Sequence, residues 1–141
     1  MSWHNPDDEV IHRLLTAAST IAVVGCSPKP ERTSYQIAAF LKEHGYRIIP
    51  VHPAGGTIHG EQVYVSLLDI PKDIQIDIVD VFRRPEFTPD IARQSVQIKA
   101  GALWLQQGIA SQEAFDIATS GELTCVMDRC IAVMHRLLVR Q

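Results

Sequence analysis

Apolar and polar positions change period several times along this chain, and the changes mark alternating helices and strands. Val10, Ile11, Leu14 and Leu15 share one helical face. They follow Asn5-Pro6-Asp7-Asp8, which reads as a helix start: Asn5 as cap, Pro6 in the first turn, then acids that suit the helix dipole. The spacing predicts an N-terminal helix over about 6–18. "TIAVVG" is a continuous β-branched run closed by Gly25, as in a strand buried on both faces. In "SYQIAAFLKEHG" the helical period returns. Ser34 is placed to cap it, Ile37, Ala38, Phe40 and Leu41 supply its buried side, and Gly45 ends it.

"YRIIPV" is the second strand, and Pro50 pushes it toward a sheet edge or a strand end. "HPAGGTIHGEQVY" reads as a loop with a small hairpin-like extension, and "SLLDIP" as a single helical turn. "DIVDVF" is the third strand. Thr88 or Pro89 opens a helix that runs to about Lys99, with Gly101 closing it. "ALWLQ" is the fourth strand. "SQEAFDIATSG" is a helix with a capping-box pattern whose Glu113 sits one residue early. "LTCVMD" and "RCIAVMHRLLV" give the fifth strand and the closing helix.

Strand and helix alternate throughout, without repeats, so the fold class is α/β: a doubly wound five-stranded parallel sheet with helices on both faces. A chain of 141 residues fits one domain, 1–141. In such sheets ligands sit beyond the carboxyl ends of the strands, where the strand order reverses. The candidate site is therefore the loop set Gly25–Ser34, His52–Gly56, Phe82–Pro85, Gln106–Gly108 and Met127–Cys130.

Composition narrows the function classes. With 46% apolar residues the chain builds a core, and a net charge of −3 argues against a general nucleic-acid binder. The polar, acidic start is unlike a secretory leader, and no apolar run approaches the roughly 20 residues of a membrane span. Cys26, Cys125 and Cys130 are an odd set, which points to reduced thiols in the cytoplasm. The spacing of Cys125 and Cys130 is a poor zinc signal, and His4, His12, His44 and His59 are scattered without metal-ligand spacing.

The turn after the first strand carries the clearest chemistry. Gly25 lets the chain bend, and the helix beginning near Ser34 points free N–H groups back at the bend, a setting that favours an anion. Ser27, Thr33 and Ser34 add hydroxyls; Lys29 and Arg32 add charge. A plain turn glycine and a plain cap would account for the same residues. The G-x-G-x-x-G fingerprint of NAD sites is absent, since the loop reads G-C-S-P-K-P. The second strand ends at His52 where an NAD site wants an acid for the ribose, so a phosphorylated ribose suits the position better.

"IAVVGCSPKPERTSY", "GYRIIPVHP", "DIVDVFRRPE", "GALWLQQGI" and "VMDRC" together resemble the CoA-binding-domain family, the small YccU-like proteins similar to the nucleotide-binding domain of the succinyl-CoA synthetase alpha subunit. The likeness runs from about Thr20 to His135 and does not include the synthetase domain that bears the phosphohistidine. It implies a Rossmann-like fold and coenzyme A as ligand, with NADP less favoured and no defined reaction. Carried over by position, Gly25, Cys26, Ser27 and Ser34 line the nucleotide-phosphate site with Lys29 and Arg32 beside it. His52 and Pro53 flank the ribose, Phe82 and Arg83 border the ligand from the third strand, and Gln107 and Gly108 from the fourth. Two departures stand out. Cys26 occupies a position often held by alanine. Ala54, followed by Gly55 and Gly56, stands where many relatives carry a lysine, which removes a partner for the ribose 3′-phosphate.

Other residues read more plainly. Trp104 lies inside a buried strand and belongs to the core. Asp80 is expected to form an ion pair with an arginine, and Asp128 to cap the last helix. Cys130 falls in that helix's first turn, where the dipole and Arg129 favour a thiolate; His135 is surface or packing. Three functions follow. The first is a non-catalytic CoA or acyl-CoA binding protein of the cytoplasm, with no nucleic-acid or membrane partner. The second is a small NADP- or CoA-dependent thiol enzyme using Cys130 or Cys26. The third is a protein-interaction module with a vestigial pocket.

Overall fold

The computed structural model describes residues 3–139, and within them the β-branched runs lie side by side. The strands are β1 (Thr20–Val24), β2 (Arg47–Val51), β3 (Thr57–Ile58), β4 (Glu61–Gln62), β5 (Ile78–Val81), β6 (Ala102–Leu105) and β7 (Thr124–Val126); the helices are α1 (Asp8–Ala17), α2 (Thr33–Glu43), α3 (Thr88–Gln97), α4 (Gln112–Ser120) and α5 (Ile131–Leu138). Five strands form one parallel sheet in the order β2-β1-β5-β6-β7, while β3 and β4 make a separate antiparallel hairpin within the long loop after β2.

Both faces of the sheet are covered, which is why its strands read as unbroken apolar runs. Ile21, Val23, Ile78 and Trp104 pack with Ile11 and Leu15 of α1, Ile37 and Leu41 of α2, and Ile131 of α5. Their neighbours Ala22, Val79, Leu103 and Leu105 point the other way, onto Ile91 and Ala92 of α3 and Ala114 and Ala118 of α4. Each fully buried Val, Leu or Ile contributes roughly 1.5–3 kcal/mol of transfer free energy. The fold is Rossmann-like α/β.

Register decides where function sits. Val24 pairs with Val51 on one side and Val81 on the other, and Val81 pairs with Leu105. The strands therefore finish level, and Gly25, His52, Phe82 and Gln106 leave the sheet in one row. Pro50 is accommodated because β2 is an edge strand. Beyond it, Tyr64 donates its N–H to the Pro50 carbonyl at 3.0 Å and accepts from His52 N–H at 2.9 Å.

Several helix starts differ from expectation. Asp7, not Asn5, caps α1, accepting from Val10 N–H at 3.0 Å. The Asn5 carboxamide instead pairs with the Met127 backbone, donating to its carbonyl at 2.9 Å and accepting its N–H at 2.8 Å. Ser34 is not a cap, because α2 begins at Thr33 after Arg32. Cys130 is the residue before α5 rather than part of its first turn. Asp128 caps nothing: it adopts φ of +59°, and its carboxylate accepts from Gly108 N–H at 2.7 Å. Among the described residues no helix is long and apolar enough to cross a membrane.

Candidate functional site

In this strand order the chain reverses its direction of travel between β1 and β5, so the crevice at their carboxyl ends is the topological switch point. Gly25 is the reason the crevice can form. Its φ is +80°, and a Cβ there would lie 2.8 Å from the Phe82 carbonyl oxygen and 3.0 Å from Arg83 Cδ. Only glycine allows both the turn and that approach. The turn is tied to β2, since Gly25 and Cys26 both donate N–H to the Val51 carbonyl, at 2.9 and 3.3 Å.

From there the loop is folded on itself by its hydroxyls. Ser27 N–H donates to Ser34 Oγ at 2.9 Å, and Lys29 N–H to Ser27 Oγ at 3.1 Å. The first internal bond of α2 runs from Gln36 N–H to the Arg32 carbonyl at 3.2 Å, so the amides of Thr33, Ser34 and Tyr35 precede the ladder. Thr33 and Ser34 line a cavity of about 760 Å³ together with Gly25, Ser27, Lys29, Glu31, Arg32 and His52. His52 Nδ1 accepts from Ala54 N–H at 3.0 Å, which leaves Nε2 as the proton-bearing nitrogen of the neutral ring.

Two further hollows continue this cavity. On the α3 side, sharing Gly25, lies a pocket of about 220 Å³ between Val51, Pro53 and Val65 on one wall and Phe87 and Ile91 on the other, with Glu86 and Asp90 also lining it. On the α5 side, sharing Thr33 and Phe82, lies a hollow of about 470 Å³ with Arg83, Gln106, Gln107, Gly108 and Cys130. Arg83 reaches both flanks, and its guanidinium stacks over the Phe87 ring at 4.4 Å. Arg84 is exposed and pairs with Glu86 at 3.7 Å. Another open hollow, about 800 Å³, lies at the opposite end of the sheet. There the Asp77 carboxylate is engaged by Ser19 and Thr20 N–H, far from the switch point.

The structure thus gathers Gly25, Ser27, Lys29, Arg32, Ser34, His52, Pro53, Phe82, Arg83, Gln107 and Gly108 along one cleft. Cys26 is the exception. Its side chain is fully buried on the α2 side of the sheet, and burial, with the neighbouring Asp80, pushes the thiol up to about 12. It neither reaches the mouth nor carries the depressed pKa of a reactive thiol. Asp80 corrects a second expectation. It is wholly buried with both carboxylate oxygens unpartnered among the described residues, so it pairs with no arginine. Desolvation raises its pKa well above the ordinary value.

Trp104 is a core residue, fully buried, with its indole N–H on the Arg129 carbonyl at 2.8 Å. His135 packs inside as well, and its pKa is lowered by burial and then by His44. Sequence reasoning missed the apolar wall of the small pocket. Phe87 carried one usable signal, a large apolar residue in the polar stretch RRPEFTPD; Val65, in the apolar run VYVSLL, carried none, and both stay exposed, Val65 at 56% and Phe87 at 39%.

Known proteins share the sequence pattern and the fold. The chain is 39% identical over 131 residues to the uncharacterized protein YneT of Bacillus subtilis, covering 93% of this chain and 96% of that one. It superimposes on a solved structure, a hypothetical protein from Pyrococcus horikoshii OT3, with a TM-score of 0.91 and 35% identity over 99% of this chain and 100% of the other. It is also 34% identical over 84 residues to the ADP-forming acetate–CoA ligase I subunit alpha of Pyrococcus furiosus, matching 55% of this chain but only 18% of that subunit. A family model described as "CoA binding domain" matches residues 19–136, and the chain belongs to that family.

Proposed function

We propose that this protein binds coenzyme A or an acyl-CoA in the cleft at the carboxyl ends of its strands, in the cytoplasm, without catalysing a reaction itself. The observation that carries the reading is the order of the three hollows. A mainly apolar pocket, a hydroxyl-lined cavity carrying Lys29, Arg32 and Glu31, and a hollow lined in part by Cys130 follow one another across the switch point. That is the order of base, phosphates and pantetheine arm in the ligand.

In this reading the adenine lies against Pro53 and Phe87, with Asp90 and Glu86 as acceptors for its amino group. The phosphates meet Ser27, Ser34 and the opening amides of α2, with Lys29 and Arg32 supplying charge. His52 Nε2–H faces the ribose. The arm follows Phe82 and Arg83 toward Gln107 and Gly108. Absence of catalysis draws support from Cys26, whose thiol is held protonated in the core. A second reading, a partner-docking module with a vestigial pocket, draws on Ala54, which leaves the loop after Pro53 without a cation for the 3′-phosphate.

Isothermal titration with CoA, dephospho-CoA, NADP and NAD tests the proposal. CoA is expected to bind one per chain and at least ~10-fold tighter than either dinucleotide, a difference of about 1.4 kcal/mol. Dephospho-CoA should come close to CoA, because Ala54 offers nothing to the 3′-phosphate. No heat and no thermal shift with millimolar CoA would overturn it.

A further inference from the structure

Cys130 stands in a part of the cleft that CoA binding alone leaves unexplained. It is half-buried, lines the hollow of about 470 Å³, and directly precedes the eight-residue α5. Its segment is anchored from three sides: Trp104 Nε1 donates to the Arg129 carbonyl at 2.8 Å, Asp128 accepts from Gly108 N–H at 2.7 Å, and Ile131 N–H donates to Gln106 Oε1 at 3.1 Å. The last bond has a chemical consequence. Because Oε1 is the acceptor, Nε2 carries both hydrogens. Gln106 is 96% buried and lines the same hollow, yet Nε2 donates to nothing among the described residues. Nε2 is not sealed off in the core but opens on the hollow, which leaves it placed to donate to an acceptor brought by a ligand.

The other two thiols are unlike this one. Cys26 and Cys125 are sealed in the core, and burial raises both to about 12. Cys130 alone of the three cysteines opens on the cleft, at the end where the proposed ligand's arm finishes.

Resting on the CoA-binding reading, we propose that Cys130 holds the ligand covalently and reversibly, as a Cys130–S–S–CoA mixed disulfide formed by exchange with CoA disulfide. The Cys130 sulfur loses its proton and attacks one sulfur of the CoA disulfide. The old S–S bond breaks as the Cys130–S–S–CoA bond forms, and the departing CoA thiolate takes up the proton. One disulfide is consumed and one is made, so no external oxidant enters. Gln106 Nε2 donates to an amide carbonyl of the arm and holds it alongside the sulfur. Free thiol reverses the exchange and releases CoA.

The test is intact-mass spectrometry of the full chain mixed with CoA disulfide or with glutathione disulfide, followed by peptide mapping under non-reducing conditions. The expected result is one CoA adduct per chain, mapped to Cys130. It should form at least ~10-fold faster than the glutathione adduct, because the cleft presents the reacting sulfur at high effective concentration. Cys130→Ser should abolish it. An adduct mapped to Cys26 or Cys125, or equal rates for the two disulfides, overturns the proposal. Calorimetry with reduced CoA separates the failures: a protein that binds CoA yet forms no adduct overturns the disulfide alone, while one that binds no CoA overturns the binding reading beneath it.

Discussion

Gly25 shapes the cleft, and Asp80, buried in the sheet, shapes the pH response of the fold. At Gly25, alanine would place a Cβ against the Phe82 carbonyl in a left-handed backbone. Gly25→Ala is therefore expected to cost about 2 kcal/mol in denaturant titration and to remove CoA binding. Asp80 acts through protonation. Its carboxyl ionises near 3.8 when unfolded but much later when folded, so the unfolded state loses its proton first as pH rises. Wild-type stability should fall as pH climbs from about 4, by up to about 1.4 kcal/mol per pH unit, until the folded group also ionises. Asp80→Asn lacks this contribution, and its advantage over wild type should widen as pH rises above about 4 in urea titrations; a constant difference would refute the raised carboxyl pKa. Gly25, Ser27 and Arg83 were legible in the sequence because a turn, a hydroxyl and a strand end are local facts. Cys26 was not, since its outward or inward aim depends on how the chain leaves a φ of +80°.

Among the elements, α2 matters most. Its opening amides are held toward the cleft by Ser34, whose Oγ takes the Ser27 N–H. Ser34→Ala removes that bond, worth about 1 kcal/mol, and should weaken CoA about fivefold by calorimetry with little change in helix content. Local spacing, read together with start and stop residues, located α1 to α5, since each needs an apolar stripe to face the sheet. It misplaced starts where a distant partner competes for the capping side chain. Asn5 looked like a cap but is claimed by Met127, 122 residues away. Asp128 looked like one too, but Gly108 holds it. Such bonds have no trace in local spacing.

At the scale of the whole molecule, the level strand ends create one continuous cleft from loops separated along the chain. Alternation of strand and helix was enough to infer a parallel sheet and a site at its carboxyl edge. The order β2-β1-β5-β6-β7 and the wall made by Val65 and Phe87 were not readable, because both depend on which segments the folded sheet brings together. A ligand that bridges these loops should stabilise the fold as a unit: at 100 times its Kd, CoA adds about 2.7 kcal/mol, which for a chain of this length raises Tm by about 10 °C.

Where the ligand lies is best tested by amide chemical shifts, followed by two-dimensional NMR as CoA is added. The account predicts that the largest changes fall on Gly25, Ser27, Ser34, Arg83, Gln107 and Gly108. Changes gathered instead at Ser19, Thr20 and Asp77, around the hollow at the other end of the sheet, would contradict it.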